Sequence, residues 1–314
     1  MTVVASRLWR KFPRARAHPA EERLFEVEPG TKILGQCHWQ AERKRHSTLV
    51  LIHGLEGSVE SLYMLGCAEK ALAAGFNVIR LNQRNCGGTE RLTPTLYNSG
   101  LSGDYRAVVL ELAQRGTLPE IFVAGFSMGG NLALKMAGEF ADAAPAALRG
   151  VAVVCPALDL ALGADALDSP PNWLYRWNFV RNLKARYRRK VALYPERYSL
   201  DGLERVRTIR EFDDVITAPY CGYRDANDYY YRASALRVVQ QIRVSTLILI
   251  AQDDPIVPFA PFRDPAVAGN PHITVIAPEA GGHCGFVSRY DGDERFWAEA
   301  RVVEFCKSRS ALDA

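Results

Sequence analysis

The pentapeptide Gly125-Phe126-Ser127-Met128-Gly129 constrains this chain more than any other stretch. The apolar run Glu120-Ile121-Phe122-Val123-Ala124 leads into it, and Gly130-Asn131-Leu132-Ala133-Leu134-Lys135-Met136 leads out. A buried strand therefore enters Ser127 and a helix leaves it. In that context G-x-S-x-G reads as a strained strand-to-helix turn that exposes the serine hydroxyl at the top of a sheet. Gly125 and Gly129 carry no Cβ, so the two backbones can approach closely. The positive helix N-terminus beneath Ser127 favours the negative charge that develops in acyl transfer.

A serine hydroxyl is a poor nucleophile until a base takes its proton, and the base is usually a histidine held by a carboxylate. Both partners follow Ser127 in the chain. Val244 to Ile250 is an apolar, β-branched run that reads as a buried parallel strand, and Ala251-Gln252-Asp253-Asp254-Pro255-Ile256-Val257-Pro258 comes directly after it. Two aspartates compete for the acid. Asp254 has the spacing expected before the proline of an Ile-Val-Pro turn, which leaves Asp253 as a loop or cap residue. A further strand over 272–277 runs into Gly281-Gly282-His283-Cys284-Gly285-Phe286, which sets His283 among glycines at a strand end. The oxyanion donors expected of such a site are the backbone N–H of Met128 and an N–H from the loop His53-Gly54-Leu55-Glu56-Gly57-Ser58, here Leu55. His53 comes too early to be the base and reads as a shaper of that loop.

At 314 residues the chain suits one large α/β unit with an insertion, and 48% hydrophobic residues can build its core. A formal charge of +4 gives no nucleic-acid signal. No run approaches the roughly 18 apolar residues that span a bilayer. The stretch 1–16 is basic but lacks the apolar centre of a secretory signal. Seven scattered cysteines without a C-x-x-C pair argue for reduced thiols in a cytoplasmic protein, with Cys284 a small packing residue beside the site.

Strands are expected over 23–28, 32–39, 48–53, 76–81, 121–124 and 150–155, and helices over 60–74, 101–115, 128–140 and 293–309. The alternation predicts a mostly parallel central sheet with helices on both faces. The core is expected in residues 20–156 and 241–314, with a lid insertion over 157–240. That insertion is rich in aromatics. Within it, 172–191 reads as a helix with Trp173, Trp177, Val180 and Tyr187 near one face. Arg176, Arg181, Lys184, Arg186, Arg188, Arg189 and Lys190 make it strongly basic. Two readings stand: a solvated basic face, or contact with an anionic membrane or substrate.

These pieces resemble the YheT-like branch of the α/β-hydrolases, which includes the plant embryogenesis-associated hydrolases. The resemblance rests on His53 to Ser58, Asn82-Gln83-Arg84-Asn85-Cys86-Gly87-Gly88, Gly125 to Asn131, Asp253-Asp254-Pro255 and Gly281 to Phe286. It extends to the insertion through Phe212-Asp213-Asp214, Thr217-Ala218-Pro219, Gly222-Tyr223 and Tyr229-Tyr230. It implies an α/β-hydrolase fold and a serine esterase with a triad of Ser127, Asp254 and His283. Relatives are described as esterases or lipases, so the likeness constrains the chemistry better than the substrate. Ala251 stands where many members have Gly, and Asn98 where some relatives carry His.

The expected chemistry is ester cleavage through an acyl-enzyme on Ser127, with no metal and no organic cofactor. The substrate is expected to be a small ester with an apolar acyl group. Acyl transfer to an alcohol and a non-enzymatic binding role on the same fold remain open. Arg84 reads either as a site for a substrate carboxylate or phosphate or as half of a structural salt bridge.

Overall fold

Apolar, β-branched runs make the centre of the sheet. A computed structural model describes residues 12–114, 117–289 and 292–312. Residues 1–11 of the basic N-terminal stretch and Arg115 lie outside them. The chain enters as an antiparallel hairpin, β1 (Glu21–Glu28) and β2 (Thr31–His38), joined by the turn at Gly30. It continues through β3 (Thr48–Ile52), α1 (Leu62–Ala73), β4 (Asn77–Leu81), α2 (Ser102–Gln114), β5 (Ile121–Phe126), α3 (Met128–Phe140) and β6 (Leu148–Val154). A helical insertion follows, with α4 (Leu160–Asp168), α5 (Trp173–Leu193) and α6 (Ala226–Ala233). The core resumes with β7 (Thr246–Leu249), β8 (Ile273–Ile276) and α7 (Trp297–Arg309).

Among the described residues the eight strands form one sheet in the order β1-β2-β4-β3-β5-β6-β7-β8. The first two ladders are antiparallel and the other five parallel. Strands β3, β4, β5 and β7 are buried along their whole length, as strands covered on both faces must be. At the far edge, β8 alternates between partly buried and exposed residues. Helix α1 packs on α7, and α2 packs on α3.

The strand order reverses at β3, with β4 on one side and β5 on the other. In open parallel sheets such a switch point leaves a crevice beyond the carboxyl ends of the strands. The segments after β3, β5, β7 and β8 carry Leu55, Ser127, Asp254 and His283 in turn, and parallel strands bring them to one rim.

Boundaries differ from the periodicity in local ways. The elbow strand runs on to Phe126, because Gly125 and Phe126 still pair with Val153 and Val154. β6 starts at Leu148 rather than 150. The last helix starts at Trp297, because Gly292–Arg295 forms a separate 3₁₀ turn. The insertion helix keeps its predicted length but not its predicted face. Val180 and Tyr187 are buried, whereas Trp173 and Trp177 are 55% and 56% exposed. Its charges are not all solvated either. Arg186 and Lys190 are buried, and the Lys190 ammonium donates to the Asn85 side chain and to the carbonyls of Glu90 and Thr93. Among the described residues no helix is long and apolar enough to cross a membrane.

Arg84 is structural. Its guanidinium is buried and grips Asp104 of α2 through Nε, 2.7 Å from Oδ2, and through Nη2. It also reaches Thr95 at 2.7 Å and Glu28 of β1 at 2.9 Å. Burial opposes its charge, but the two carboxylates outweigh burial and raise its pKa. Arg84→Met would strand the buried Asp104 carboxylate, which should lower unfolding stability by about 3–5 kcal/mol in urea denaturation. Glu28 is half exposed, so Glu28→Gln should cost less than about 1 kcal/mol in the same measurement. Equal effects from the two substitutions would contradict this assignment.

Candidate active site

The turn after β5 is tightly packed. Ser127 sits at φ 53°, ψ −118°, a region that residues with a side chain rarely occupy. Its N–H donates to Val154 O at 2.9 Å, which ties the turn to β6. Its carbonyl accepts from the N–H groups of Gly130 and Asn131, which starts α3. The spacing works only with glycine on both sides. A Cβ on Gly125 would strike the backbone of Gly129, and one on Gly129 would strike the carbonyls of Ile52 and His53.

Ser127 is thereby raised toward the loop that follows β8. Ser127 Oγ lies 3.0 Å from His283 Nε2. His283 Nδ1 lies 2.9 Å from Asp254 Oδ2 and 3.2 Å from Oδ1. The Asp254 side chain is fully buried, and its Oδ1 accepts from the N–H groups of Ile256 at 2.8 Å and Val257 at 3.0 Å. Burial works against the Asp254 charge. The imidazole and those two amides outweigh it and lower the carboxyl's pKa. The same burial opposes a charged His283, and Asp254 overrides it, so the imidazole pKa is raised above its usual 6.5.

Asp253 holds the loop that carries the base. Its Oδ1 accepts from the N–H groups of Gly281 at 2.9 Å and Gly282 at 2.8 Å. The two adjacent aspartates thus divide the work, one on the imidazole and one on the backbone of the two residues before it.

The loop after β3 closes the other side. His53 is buried and neutral, its pKa lowered to about 4 mainly by burial. Its Nδ1–H donates to Gly54 O at 2.7 Å, and its Nε2 accepts from Gln83 N at 3.1 Å. It shapes the loop and lies outside the Ser127–His283–Asp254 chain. Gly54 N–H is taken by the Tyr63 hydroxyl at 2.9 Å. Among the described residues the N–H groups of Leu55 and Met128 meet no hydrogen-bond acceptor, and both residues line the same cavity as Ser127 and His283.

That cavity measures about 930 Å³ counted out to its open mouth. Leu160, Leu167, Phe179, Phe212, Ile216 and Ile256 give it apolar walls, most of them from the insertion. Asn98 lines it as well. Its side-chain oxygen accepts from Gly100 N at 2.8 Å. Asp213 contributes a buried carboxyl, held by the hydroxyls of Thr217 at 2.6 Å and Tyr230 at 2.7 Å, and burial raises its pKa to about 6.

The side chains of Cys155, His283 and Cys284 bring ligand-type atoms within 4.8 Å of one another. Both His283 nitrogens are engaged by Ser127 and Asp254, and the Cys284 thiol reaches Val154 O at 3.5 Å. The trio therefore reads as packing behind the histidine loop. Asp253 acts as the loop-capping residue the sequence suggests, though its partners are not legible there, and Glu56 and Arg186 are site residues to which no sequence pattern assigns a role in the site. Their partners lie 28 to 130 positions away, and no local pattern marks them.

Comparison with known proteins gives the family. The family described as alpha/beta hydrolase fold matches residues 47–290. The chain belongs to that family. Within this hydrolase family it falls in the YheT-like branch. It is 34% identical over 269 residues to YheT of Escherichia coli (strain K12), an esterase by provisional name, covering 84% of this chain and 78% of that protein. It is 28% identical to the medium-chain fatty acid ethyl ester synthase/esterase 2 of Saccharomyces cerevisiae (strain ATCC 204508 / S288c), covering 94% of this chain and 70% of that one. The solved Pyrococcus furiosus esterase Pf2001 superposes with a TM-score of 0.61 at 16% identity, covering 96% of each chain, which establishes likeness of fold. The hydrolase relatives are esterase- and lipase-like.

Proposed function

We propose that this protein is a serine carboxylesterase that cleaves esters with an apolar acyl group through an acyl-enzyme on Ser127. One observation carries the reading: a strained serine with its hydroxyl 3.0 Å from an imidazole that a buried aspartate holds from behind at 2.9 Å. Ser127 attacks the ester carbonyl as His283 takes its proton. Asp254 fixes the imidazole tautomer and stabilises the imidazolium. The N–H groups of Leu55 and Met128 receive the developing oxyanion. His283 then protonates the departing alcohol. Water repeats the cycle, gives the free acid and restores Ser127. In this scheme residues 157–240 form a lid over the site, and its apolar walls supply the acyl pocket. The steps need neither a metal nor an organic cofactor.

A second reading is acyl transfer, in which an alcohol replaces water at the acyl-enzyme. The yeast relative's name, both synthase and esterase, favours keeping it. A cytoplasmic protein with unpaired thiols fits either reading. Contact of the lid with a membrane surface belongs to the same proposal. Trp173, Leu174 and Trp177 are each more than half exposed at the start of α5. The Arg181 guanidinium rests 4.6 Å from the Trp177 ring, so apolar and cationic groups share one patch.

Ser127→Ala should leave the fold intact and abolish p-nitrophenyl ester turnover; turnover at the wild-type rate would end the proposal. The base must be neutral to accept a proton, so kcat/KM should fall as pH drops through the raised His283 pKa. The acid limb should therefore lie above pH 6.5. Asp254→Asn should move that limb down and lower kcat about 10⁴-fold. A wild-type limb at or below 6.5 would show that Asp254 does not couple to the base.

Binding to anionic phosphatidylserine vesicles should appear at low salt, weaken with added salt and be lost in Trp173→Ala/Trp177→Ala. Absence of binding at low salt would remove the membrane contact.

A further inference from the structure

Glu56 follows the proposed oxyanion donor Leu55, and its backbone is left-handed at φ 55°. No glycine relieves that conformation, so something must hold it. Three donors converge on one oxygen of its side chain. Tyr97 OH donates to Oε1 at 2.6 Å, Arg186 Nε at 2.8 Å, and Arg186 Nη2 lies 2.7 Å from the same atom. The Arg186 guanidinium also lies over the Tyr97 ring, 3.9 Å from its centroid. The side chains are 6% exposed for Arg186 and 9% for Glu56.

This cluster joins three segments that the chain does not connect locally: the loop after β3, the segment 94–100, and α5 of the insertion. The near end of the β3 loop is tied within the core, by Tyr63 on Gly54 and by the His53 ring. Glu56, at the far end, is tied to the insertion. Buried ion pairs contribute little net stability compared with apolar packing, but their geometry is directional. A charged hub with three converging donors is an orienting device.

Resting on the esterase reading, we propose that Glu56, Arg186 and Tyr97 are positioning residues that set the oxyanion loop. Seating α5 and aiming the Leu55 N–H are then one event, and the hole is complete only with the insertion in place. The oxyanion exists in the transition state and not in the bound ester, so loss of the cluster must appear in kcat rather than KM.

The test compares wild type, Glu56→Gln, Arg186→Lys, Arg186→Met, Tyr97→Phe, Glu56→Gln/Arg186→Met and Ser127→Ala on p-nitrophenyl butyrate. Circular dichroism and thermal melts check each fold. Affinity for an alkyl trifluoromethyl ketone, whose serine adduct carries the oxyanion, reads the hole directly. Glu56→Gln and Arg186→Met should lower kcat about 10- to 100-fold with KM within about threefold. Arg186→Lys keeps the charge without the paired nitrogens and should recover part of the loss. The double variant should be no worse than the worse single one, and ketone affinity should fall in step with kcat. Unchanged kcat with raised KM, or additive losses, would overturn the proposal and leave Arg186 as pocket wall. If Arg186→Met does not fold, Glu56→Gln and Arg186→Lys decide the matter by the same criteria. Turnover in Ser127→Ala equal to wild type would instead refute the esterase reading, and this proposal with it. Serine-dependent turnover with kcat intact in the cluster variants refutes the positioning role alone.

Discussion

The crossing of β5 into α3 at Ser127 is the contact on which the rest of the site depends. A left-handed serine is held there because Gly125 meets Gly129 backbone to backbone, and Gly129 meets the end of β3. One tight passage therefore sets three things. It lifts the Ser127 hydroxyl above the sheet, starts α3 with its N–H groups facing the same point, and presses the β3 loop against the nucleophile. The strain is local, at the end of the fully buried β5 and beside the fully buried β3.

Around that fixed point the remaining groups arrive by parallel topology. Strands β3, β5, β7 and β8 all run the same way, so each delivers its following loop to the same rim. Polar groups that would otherwise wander are each held by hydrogen bonds from another segment or from neighbouring backbone. Asp254 is held by two backbone amides, and the histidine loop hangs from Asp253. Asn131, on the elbow helix, bonds Ser99 O, Ala233 O and Ala235 N, so the elbow also carries the end of the insertion. Glu56 and Arg186 add the same kind of tie between the β3 loop and α5.

Much of this is legible in the chain because the decisive signals are short-range. Glycine spacing around Ser127 and the apolar strand runs are patterns within about ten residues each, and the order of serine, acid and histidine can be read directly along the chain. They suffice for the parallel sheet, for the elbow, and for the meeting of Ser127, Asp254 and His283. What stays hidden is non-local. Asp253 reads as a loop residue until Gly281 and Gly282 are seen against it. Arg84 is ambiguous until Asp104 and Glu28 close on it. The face of α5 is misread for a different reason. Periodicity reports which residues can share a face, but Trp173 and Trp177 lie at its first turns, beyond the surface that Val180, Leu183 and Tyr187 bury. Helix ends shift by a few residues where caps and 3₁₀ turns decide, as before Trp297.

The central claim is that Ser127 is an activated nucleophile, and covalent labelling tests it most directly. An alkyl fluorophosphonate forms a Ser127 Oγ–phosphorus bond and expels fluoride only if a base removes the hydroxyl proton and donors receive the phosphoryl oxygen. Peptide mapping after treatment of the native protein should show a single adduct, on Ser127, formed more slowly as pH falls through the His283 pKa. An unlabelled Ser127 in folded protein, or an adduct elsewhere, would contradict the account.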